Sequence, residues 1–334
     1  MAPIKLDFVT LDVFTDKRFL GNPLAVVFIP AALRSTITQE TKQRIAREFN
    51  LSETVFLHTL DDEASNGTTV TTREIDIFTI DEELPFAGHP TIGSTYLVLH
   101  HLGWNHVNTL LTKAGPIGIE SLQDGGVRAT IPHAVHIHKQ TLSGILDNLS
   151  GEAATAIQNA LSNNPDTRAA ELSAPVVSIV KGMTFVLVKL PSLEHLAQVS
   201  TAKLLDFNVA TGLLDAGDWE KSFVSRYYYV PNTVEGPTVG ENGLQEWTIR
   251  SRMVELACED PATGSAACTL ASYLTISGRA VKGARFNITQ GVEMGRKSDI
   301  VVESTSLVEG EDVKIKGIFL GGTSVVVMNG SVLV

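Results

Sequence analysis

A glutamate, Glu53, sits where a helical stretch turns into an apolar strand, in Asn50-Leu51-Ser52-Glu53-Thr54-Val55-Phe56-Leu57. Its neighbours Leu51, Val55 and Phe56 can strip water from the carboxylate and raise its pKa. A general acid/base working near neutral pH requires such a shift. On composition alone the same residue also reads as a helix cap or a surface glutamate. A second stretch with chemical potential is Glu259-Asp260-Pro261-Ala262-Thr263-Gly264-Ser265-Ala266. It sets an acid, a turn-forming proline and a Gly-Ser step before the helix-compatible run Ala267 to Leu274. Small residues at a helix start leave backbone N–H groups reachable, with the positive end of the helix dipole behind them. That arrangement receives an anion, such as a substrate carboxylate or an enolate-like oxygen.

The pattern occurs twice. Upstream, Leu84-Pro85-Phe86-Ala87-Gly88-His89-Pro90 leads into the apolar run from Thr91 to Leu99. Placing Gly88-His89 over Gly264-Ser265 aligns an acid and a proline upstream, a Tyr-Leu pair inside each run (Tyr96-Leu97, Tyr273-Leu274), and a closing glycine (Gly103, Gly278). This self-similarity suggests two related halves, each with one buried helix.

The elements around these segments are mostly strands. Leu6 to Phe14 alternates as a half-buried strand, and Gly21-Asn22-Pro23 turns into a second strand, Leu24 to Ile29. Thr38 to Phe49 is helical, Thr54 to Leu57 extended, Asp61 to Gly67 a hairpin loop, and Val70 to Ile80 the returning strand. Val176 to Val180 and Thr184 to Val188 form a hairpin, and Phe223 to Val230 precedes an acidic, glycine-containing loop at Val234 to Gly243. Gly283 to Val334 is a strand meander. A polar segment at about 139–170 reads as an inserted helix or loop. The expected class is α+β.

At 334 residues the chain suits two domains. Hydrophobic content of 43% with 19% charged residues marks a packed globular protein. A net charge of −11 argues against nucleic acid or an anionic membrane as partner. The N-terminal residues carry no apolar signal core, and no apolar run reaches spanning length, so a cytoplasmic location is the default expectation. The sequons at Asn66, Asn148 and Asn287 read as chance matches. Cys258 and Cys268 are the two cysteines, too few for a disulfide framework or a zinc site. His133, His136 and His138 look metal-like, but His136 and His138 share a strand face without a nearby acid, so no metal site is expected. His100 and His101 close the first buried helix, where imidazolium suits the dipole. No Gly-Lys-Ser/Thr step or post-strand G-x-G-x-x-G supplies a phosphate loop.

Five segments, in order, resemble the PhzF-like phenazine biosynthesis family, which has the diaminopimelate epimerase-like fold. They are Leu11 to Phe14 with Phe19 to Val27, Asn50 to Phe56, Phe78-Thr79 with Glu83 to Thr91, Glu259 to Ala266, and Gln290 to Ser298. They cover most of the chain; about 139–170 and parts of 200–245 fit poorly. The resemblance implies two similar domains, each a β-barrel-like sheet around a central helix, with the active site in the cleft between them. The boundaries expected are 1–125 plus 322–334 with a helix at 90–102, and 126–321 with a helix at 264–277.

By the same resemblance Glu53 is the acid/base, moving a proton from one carbon of a small acidic substrate to another. Gly88 and His89 then line one side, and Asp260, Gly264 and Ser265 the other, with Asn22 near the substrate. His89 would donate a hydrogen bond or shuttle a proton, although a helix-start role also accounts for it. Asp260 reads equally as a helix cap. Arg296 reads as a carboxylate partner or as one half of a salt bridge. Two-thiol racemases of this fold place a cysteine at each helix start, where this chain has Ala87 and Thr263.

The function expected is a cofactor-free, metal-free isomerase of a carboxylate-bearing metabolite. A cyclase or lyase of the same fold in secondary metabolism and a non-catalytic small-molecule binding protein are the alternatives. The fold admits a homodimer.

Overall fold

The computed structural model describes residues 3–60, 70–231, 237–240, 243–254, 259–278, 280, 282–310 and 312–334. The hairpin expected at Asp61 to Gly67, half of the Val234 to Gly243 loop, and Cys258 lie outside these residues. The chain divides into two compact units, 1–131 with 320–334, and 132–319.

In the first unit the strands are β1 (Lys5–Val13), β2 (Asn22–Ile29), β3 (Thr54–His58), β4 (Thr72–Phe78), β5 (Glu83–Leu84), β6 (Thr109–Thr112), β7 (Gly115–Ser121) and β8 (Val127–Thr130). β1 is antiparallel to β2, β2 parallel to β3, β3 antiparallel to β4, and β4 antiparallel to the two-residue β5. β4 then runs parallel to β6, and β6, β7 and β8 follow antiparallel. Two helices serve this sheet, α1 (Gln39–Phe49) and α2 (Gly88–Tyr96), the latter continuing through a wide turn at Leu97–His101. α1 makes the crossover between β2 and β3. Thr38 caps it, with Oγ1 accepting the Thr41 N–H at 3.2 Å. Ile45 and Ala46 bury against Val27, Phe56 and Phe78. Burial of a side chain the size of Ile45 stabilises by roughly 1.5–3 kcal/mol.

The second unit holds β9 (His136–Ile137), α3 (Leu142–Leu146), α4 (Gly151–Ala160), α5 (Pro165–Ser173), β10 (Val176–Val180), β11 (Met183–Lys189), α6 (Leu193–Ala197), β12 (Phe223–Pro231), β13 (Thr238–Val239), β14 (Gln245–Val254), β15 (Glu259–Asp260), α7 (Gly264–Ser277), β16 (Ala284–Gln290) and β17 (Ser298–Glu309). β18 (Asp312–Gly322) leads back to the first unit, where β19 (Ser324–Leu333) pairs antiparallel with β1.

The two units repeat one topology. β10, β11, β12 and β14 follow antiparallel, parallel, antiparallel, as β1 to β4 do. β14 pairs antiparallel with the two-residue β15 and parallel with β16, as β4 does with β5 and β6. Each short strand is followed by three residues and then by the buried helix, α2 or α7.

Burying a whole helix requires every polar group on it to find a partner. The threonines of both helices, and Ser272 of α7, do this inside their own helix, while Ser94 Oγ of α2 is buried without a hydrogen-bond partner. Thr91 donates to the Ala87 carbonyl at 2.7 Å and Thr95 to the Thr91 carbonyl at 2.7 Å. In α7, Thr269, Ser272 and Thr275 donate to the carbonyls of Ser265, Cys268 and Ala271. Gly93 is the close-approach point of α2: a Cβ there would lie 2.5 Å from Leu24 Cδ2 and 2.8 Å from Val13 Cγ2.

The polar segment at 139–170 folds as α3, α4 and α5. Leu142, Ile145, Ile157, Ala160 and Leu161 form an apolar side packed with Val176, Val186 and Val188 of the sheet. Glu171 of α5 ties it down, accepting from Arg226 Nη1 at 2.9 Å, from the Tyr228 hydroxyl at 2.6 Å and from the Ser162 N–H at 2.7 Å. No described helix is long and apolar enough to cross a membrane.

Candidate active site

Asn50 ends α1 in the left-handed conformation, φ 52°, which asparagine tolerates better than most residues. The chain then reverses and delivers Glu53 to the mouth of β3, beside the start of β2 in the parallel pair (Ala25 opposite Thr54). Asn22 opens β2 at the same end of the sheet and is 1% exposed. Glu53 keeps only 17% of its side-chain surface in contact with solvent. Loss of that water pushes its pKa from 4.5 to about 7, against a smaller lowering by the Ser52 hydroxyl hydrogen bond. His89 Nδ1 stands 3.5 Å from Glu53 Oε2, within ion-pair range and long for a tight hydrogen bond.

His89 is the second residue of α2, after Gly88, and both are buried. Ala87 caps this helix in extended conformation and offers no side-chain hydrogen bond. Intrahelical bonding begins with the Thr91 N–H to the Ala87 carbonyl, and Pro90 has no N–H to satisfy. Gly88 and His89 occupy the first two positions of the helix, ahead of that bond. Glu53 thus sits 3.5 Å from the side chain of a residue whose own amide belongs to that helix mouth.

The start of α7 is held by a closed hydrogen-bond network. Asp260 Oδ2 accepts the Thr263 hydroxyl at 2.5 Å. Gln290 donates to the Asp260 carbonyl at 2.8 Å and to Thr263 Oγ1 at 3.0 Å. Its own Oε1 accepts the Thr263 N–H at 3.2 Å and the Tyr227 hydroxyl at 3.1 Å. With its hydroxyl so engaged, Thr263 makes no side-chain cap for α7. Gly264 and Ser265 follow with amides that have no intrahelical partner, since helix bonding starts at Ala267. Gly291, at φ 73°, lets the following turn close on this segment; a Cβ there would fall 2.6 Å from the Pro261 carbonyl oxygen. Glu259 is part of the scaffold: Arg252 holds it at 2.7 and 2.8 Å and also donates to three carbonyls around the end of α6. The Glu259–Arg252 pair has no signature in the sequence beyond the two residue types.

The fold corrects one reading. His136 and His138 do have an acid beside them: Asp215, 79 residues away, lies 2.8 Å from His136 Nε2. The three side chains offer ligand atoms within 4.8 Å of one another. Both nitrogens of His138 are engaged, however. Nδ1 accepts the Asp215 N–H at 3.0 Å, so Nε2 carries the proton and donates to Ser178 Oγ at 2.9 Å. His136 stacks on Trp219, with centroids 4.6 Å apart. Burial first, and the neighbouring His136 second, lower the His138 pKa, keeping the ring neutral in this clasp. A second group, His58, Glu74 and Asp76, already holds a cation, Lys42 Nζ at 2.5 Å from Asp76 Oδ2. Cys268 is wholly buried inside α7, and burial raises its thiol pKa far above neutrality.

Over residues 11–330 the chain matches the family described as phenazine biosynthesis-like protein. It belongs to that family. An uncharacterized isomerase of Mesorhizobium japonicum is 33% identical over 98% of this chain and 99% of its own length. The trans-2,3-dihydro-3-hydroxyanthranilate isomerase of Pseudomonas fluorescens is 29% identical over 98% of this chain and 99% of its own. Among solved structures, the PhzF-family phenazine biosynthesis protein of Bacillus anthracis superposes with a TM-score of 0.68 at 22% identity, covering 99% of this chain and 100% of that one. The architecture is accordingly the α+β, diaminopimelate epimerase-like fold of the PhzF family.

Within this duplicated fold the chemistry-bearing positions differ between the copies. Phe78 and Val254 are equivalent, since each faces the first residue of the short strand, Glu83 or Glu259. Phe78 pairs with Thr54 and Val254 with Arg226, so the counterpart of Glu53 is Ser225. Ser225 is 3% exposed and donates its hydroxyl to the Val254 carbonyl at 3.2 Å. The PhzF fold here carries a carboxylate at this place in one copy and a satisfied hydroxyl in the other.

Proposed function

We propose that this PhzF-family isomerase moves a proton within a small carboxylate-bearing metabolite, with Glu53 as its single general acid/base. The observation that carries the reading is a carboxyl stripped of most of its water, which pushes its pKa up to about 7, 3.5 Å from a histidine at a helix start without a side-chain cap. Near neutral pH such a group is present in both protonation states, so it can accept a proton from one carbon and return it to another. The start of α2, with the helix dipole behind it, favours the negative charge that develops as the proton leaves. A group so placed contributes about 10²–10⁴-fold to the rate. His89 steadies the carboxylate or relays its proton, and Asn22 contacts the substrate.

On the family resemblance we assign Asp260, Gly264 and Ser265 to the same reaction. The Asp260–Thr263–Gln290 network supports a positioning role for Asp260, keeping the amides of Gly264 and Ser265 in register. The duplication supports a one-base mechanism: Ala87 and Thr263 cap the two helices, neither is a thiol, and Ser225 replaces the carboxylate in the second copy.

The decisive experiment follows solvent deuterium into candidate carboxylic acids, comparing wild type with Glu53→Gln. The reading requires exchange in wild type and its loss in the variant with binding retained. Equal binding by both proteins without exchange in either would leave a binding protein in place of an enzyme.

A further inference from the structure

Helix α1 carries a polar stripe. Gln39, Gln43 and Arg47 recur at every fourth residue and therefore share one line along the helix surface. All three donate to one short stretch of chain. Gln39 Nε2 reaches Glu83 Oε2 at 3.2 Å, Gln43 Nε2 the Thr79 carbonyl at 2.8 Å, and Arg47 Nε the Ile80 carbonyl at 2.8 Å. Beside the stripe Lys42, 6% exposed, bonds to Asp76, whose Oδ2 also lies 2.8 Å from His58 Nε2. That buried cluster fixes the helix against β3 and β4, so the stripe acts from a fixed support.

The stretch it grips leads to the site. Thr79 Oγ1 accepts the Asp81 and Glu82 N–H groups at 3.1 and 3.0 Å, which closes a tight turn. Glu83 also accepts Lys113 Nζ at 3.0 Å, and the Pro85 carbonyl accepts the Ala114 N–H at 3.0 Å. From there the chain enters α2 through Gly88 and His89. At the other end α1 stops at Phe49, Asn50 reverses the chain, and Glu53 follows. One helix thus ties the segment that delivers Glu53 to the segment that delivers His89, side chains 3.5 Å apart. Arg47 is exposed and Gln43 half-buried, so their bonds add only modestly to folding.

We propose that Gln43 and Arg47 are positioning residues of the Glu53 site: by holding the Thr79 and Ile80 carbonyls to α1 they set the spacing of Glu53 and His89 and keep water from the carboxyl. The inference rests on the proton-transfer reading for its catalytic consequence, and on the hydrogen bonds alone for its geometry. With both bonds cut, the reversal at Asn50 and the mouth of α2 can separate, and water admitted to Glu53 favours its charged form. Gln39 is a lesser member of the stripe, because Lys113 shares its acceptor.

The test follows the Glu53 carboxyl through a pH titration by NMR, in protein isotope-labelled at the glutamate carboxyl carbon, the resonance being assigned by its absence in Glu53→Gln. In wild type the midpoint should lie at about 7. In Gln43→Leu/Arg47→Met it should fall by about one pH unit or more, a loss of about tenfold in proton affinity. Arg47→Met alone should shift it the same way by less, and Arg47→Lys, which keeps a donor, should hold it. Thr38→Ala removes the cap of α1 without touching the stripe and should leave the midpoint in place. An unmoved midpoint in both methionine variants, an equal shift in Thr38→Ala, or Arg47→Lys behaving as Arg47→Met overturns the proposal. Should the double variant not fold, Arg47→Met alone decides. A wild-type midpoint at the ordinary 4.5 overturns it together with the acid/base reading. Deuterium exchange separates the two readings. Exchange that requires Glu53, yet keeps the wild-type rate and pH profile in the double variant, overturns this proposal alone. A midpoint that follows the stripe, with exchange that ignores Glu53→Gln, sustains the positioning and overturns the catalytic assignment.

Discussion

Replacing Glu53 with glutamine should make the protein more stable at alkaline pH while removing its activity. Burial raises the Glu53 pKa from 4.5 to about 7, so folding favours the neutral form. The stability this group contributes is fully present below 4.5 and is lost as pH rises through 7. A shift of two to three units corresponds to about 3 kcal/mol at about 1.4 kcal/mol per unit. Glutamine has nearly the shape of the neutral acid and no charge to bury. The stability gap between Glu53→Gln and wild type should therefore be small near pH 4.5 and grow to about 3 kcal/mol in favour of the variant by pH 8.5. An unfolding entropy of about 2.1 cal/mol/K per residue gives about 0.7 kcal/mol/K for a chain of this length, so the gap appears as ~4 °C in melting temperature. Independent melting of the first unit would enlarge it. Paired thermal melts at the two pH values provide the assay. A gap that stays constant between them would refute the claim that Glu53 is desolvated, and with it the acid/base role.

Three further perturbations probe the scaffold. Gly93→Ala drives a methyl into Leu24 and Val13, at 2.5 and 2.8 Å, and should cost about 1–3 kcal/mol of stability in urea denaturation. Arg252→Met strands Glu259, whose side chain is 8% exposed, and should cost about 3–5 kcal/mol at pH 8. Adding Glu259→Gln should recover part of that loss, and an unaltered loss would disprove the pairing. Gln290→Leu leaves the Thr263 N–H and the Asp260 carbonyl without this partner, so a stability loss of about 1–3 kcal/mol is expected. Turnover should fall in the same variant without moving the pH profile, because Glu53 is untouched.

Local pattern made most of the architecture legible. The alternation around Leu6 to Val13, the turn before β2 and the small-residue starts of α2 and α7 all report backbone states set within a few residues. The candidate site was legible to the same depth: an acid flanked by Leu51, Val55 and Phe56, and a glycine step at each helix mouth. What stayed hidden depends on partners far apart in the chain. Asp215 reaches His136 across 79 residues, and Arg226 reaches Glu171 across 55. No local period encodes such a pairing, so an acid near the histidine pair was missed. The 139–170 segment, read as helix or loop, folds as helices whose packing against the sheet the pattern did not show. Its asparagines and aspartates dominate the composition, while the few apolar residues that face the sheet, Leu142, Ile145 and Ile157, fall on separate short helices.

The repeat itself bears on mechanism. A duplicated scaffold begins with equivalent groups at equivalent places, and a racemase that works from both faces of a carbon needs two comparable bases. Here the register sets Glu53 against Ser225, and the helix caps set Ala87 against Thr263. The hydroxyl of Ser225 is engaged by a backbone carbonyl, and that of Thr263 donates to Asp260. Neither is placed as a base, and Cys268 is sealed within α7. On the one-base reading proposed above, the Glu53 carboxyl takes the proton up and gives it back, which suits transfer between two positions on one face of a substrate better than inversion at a single carbon. Stereochemical analysis of the incorporated deuterium would decide it: delivery to the face from which the proton left supports one base, and delivery to the opposite face requires a second that these residues do not supply.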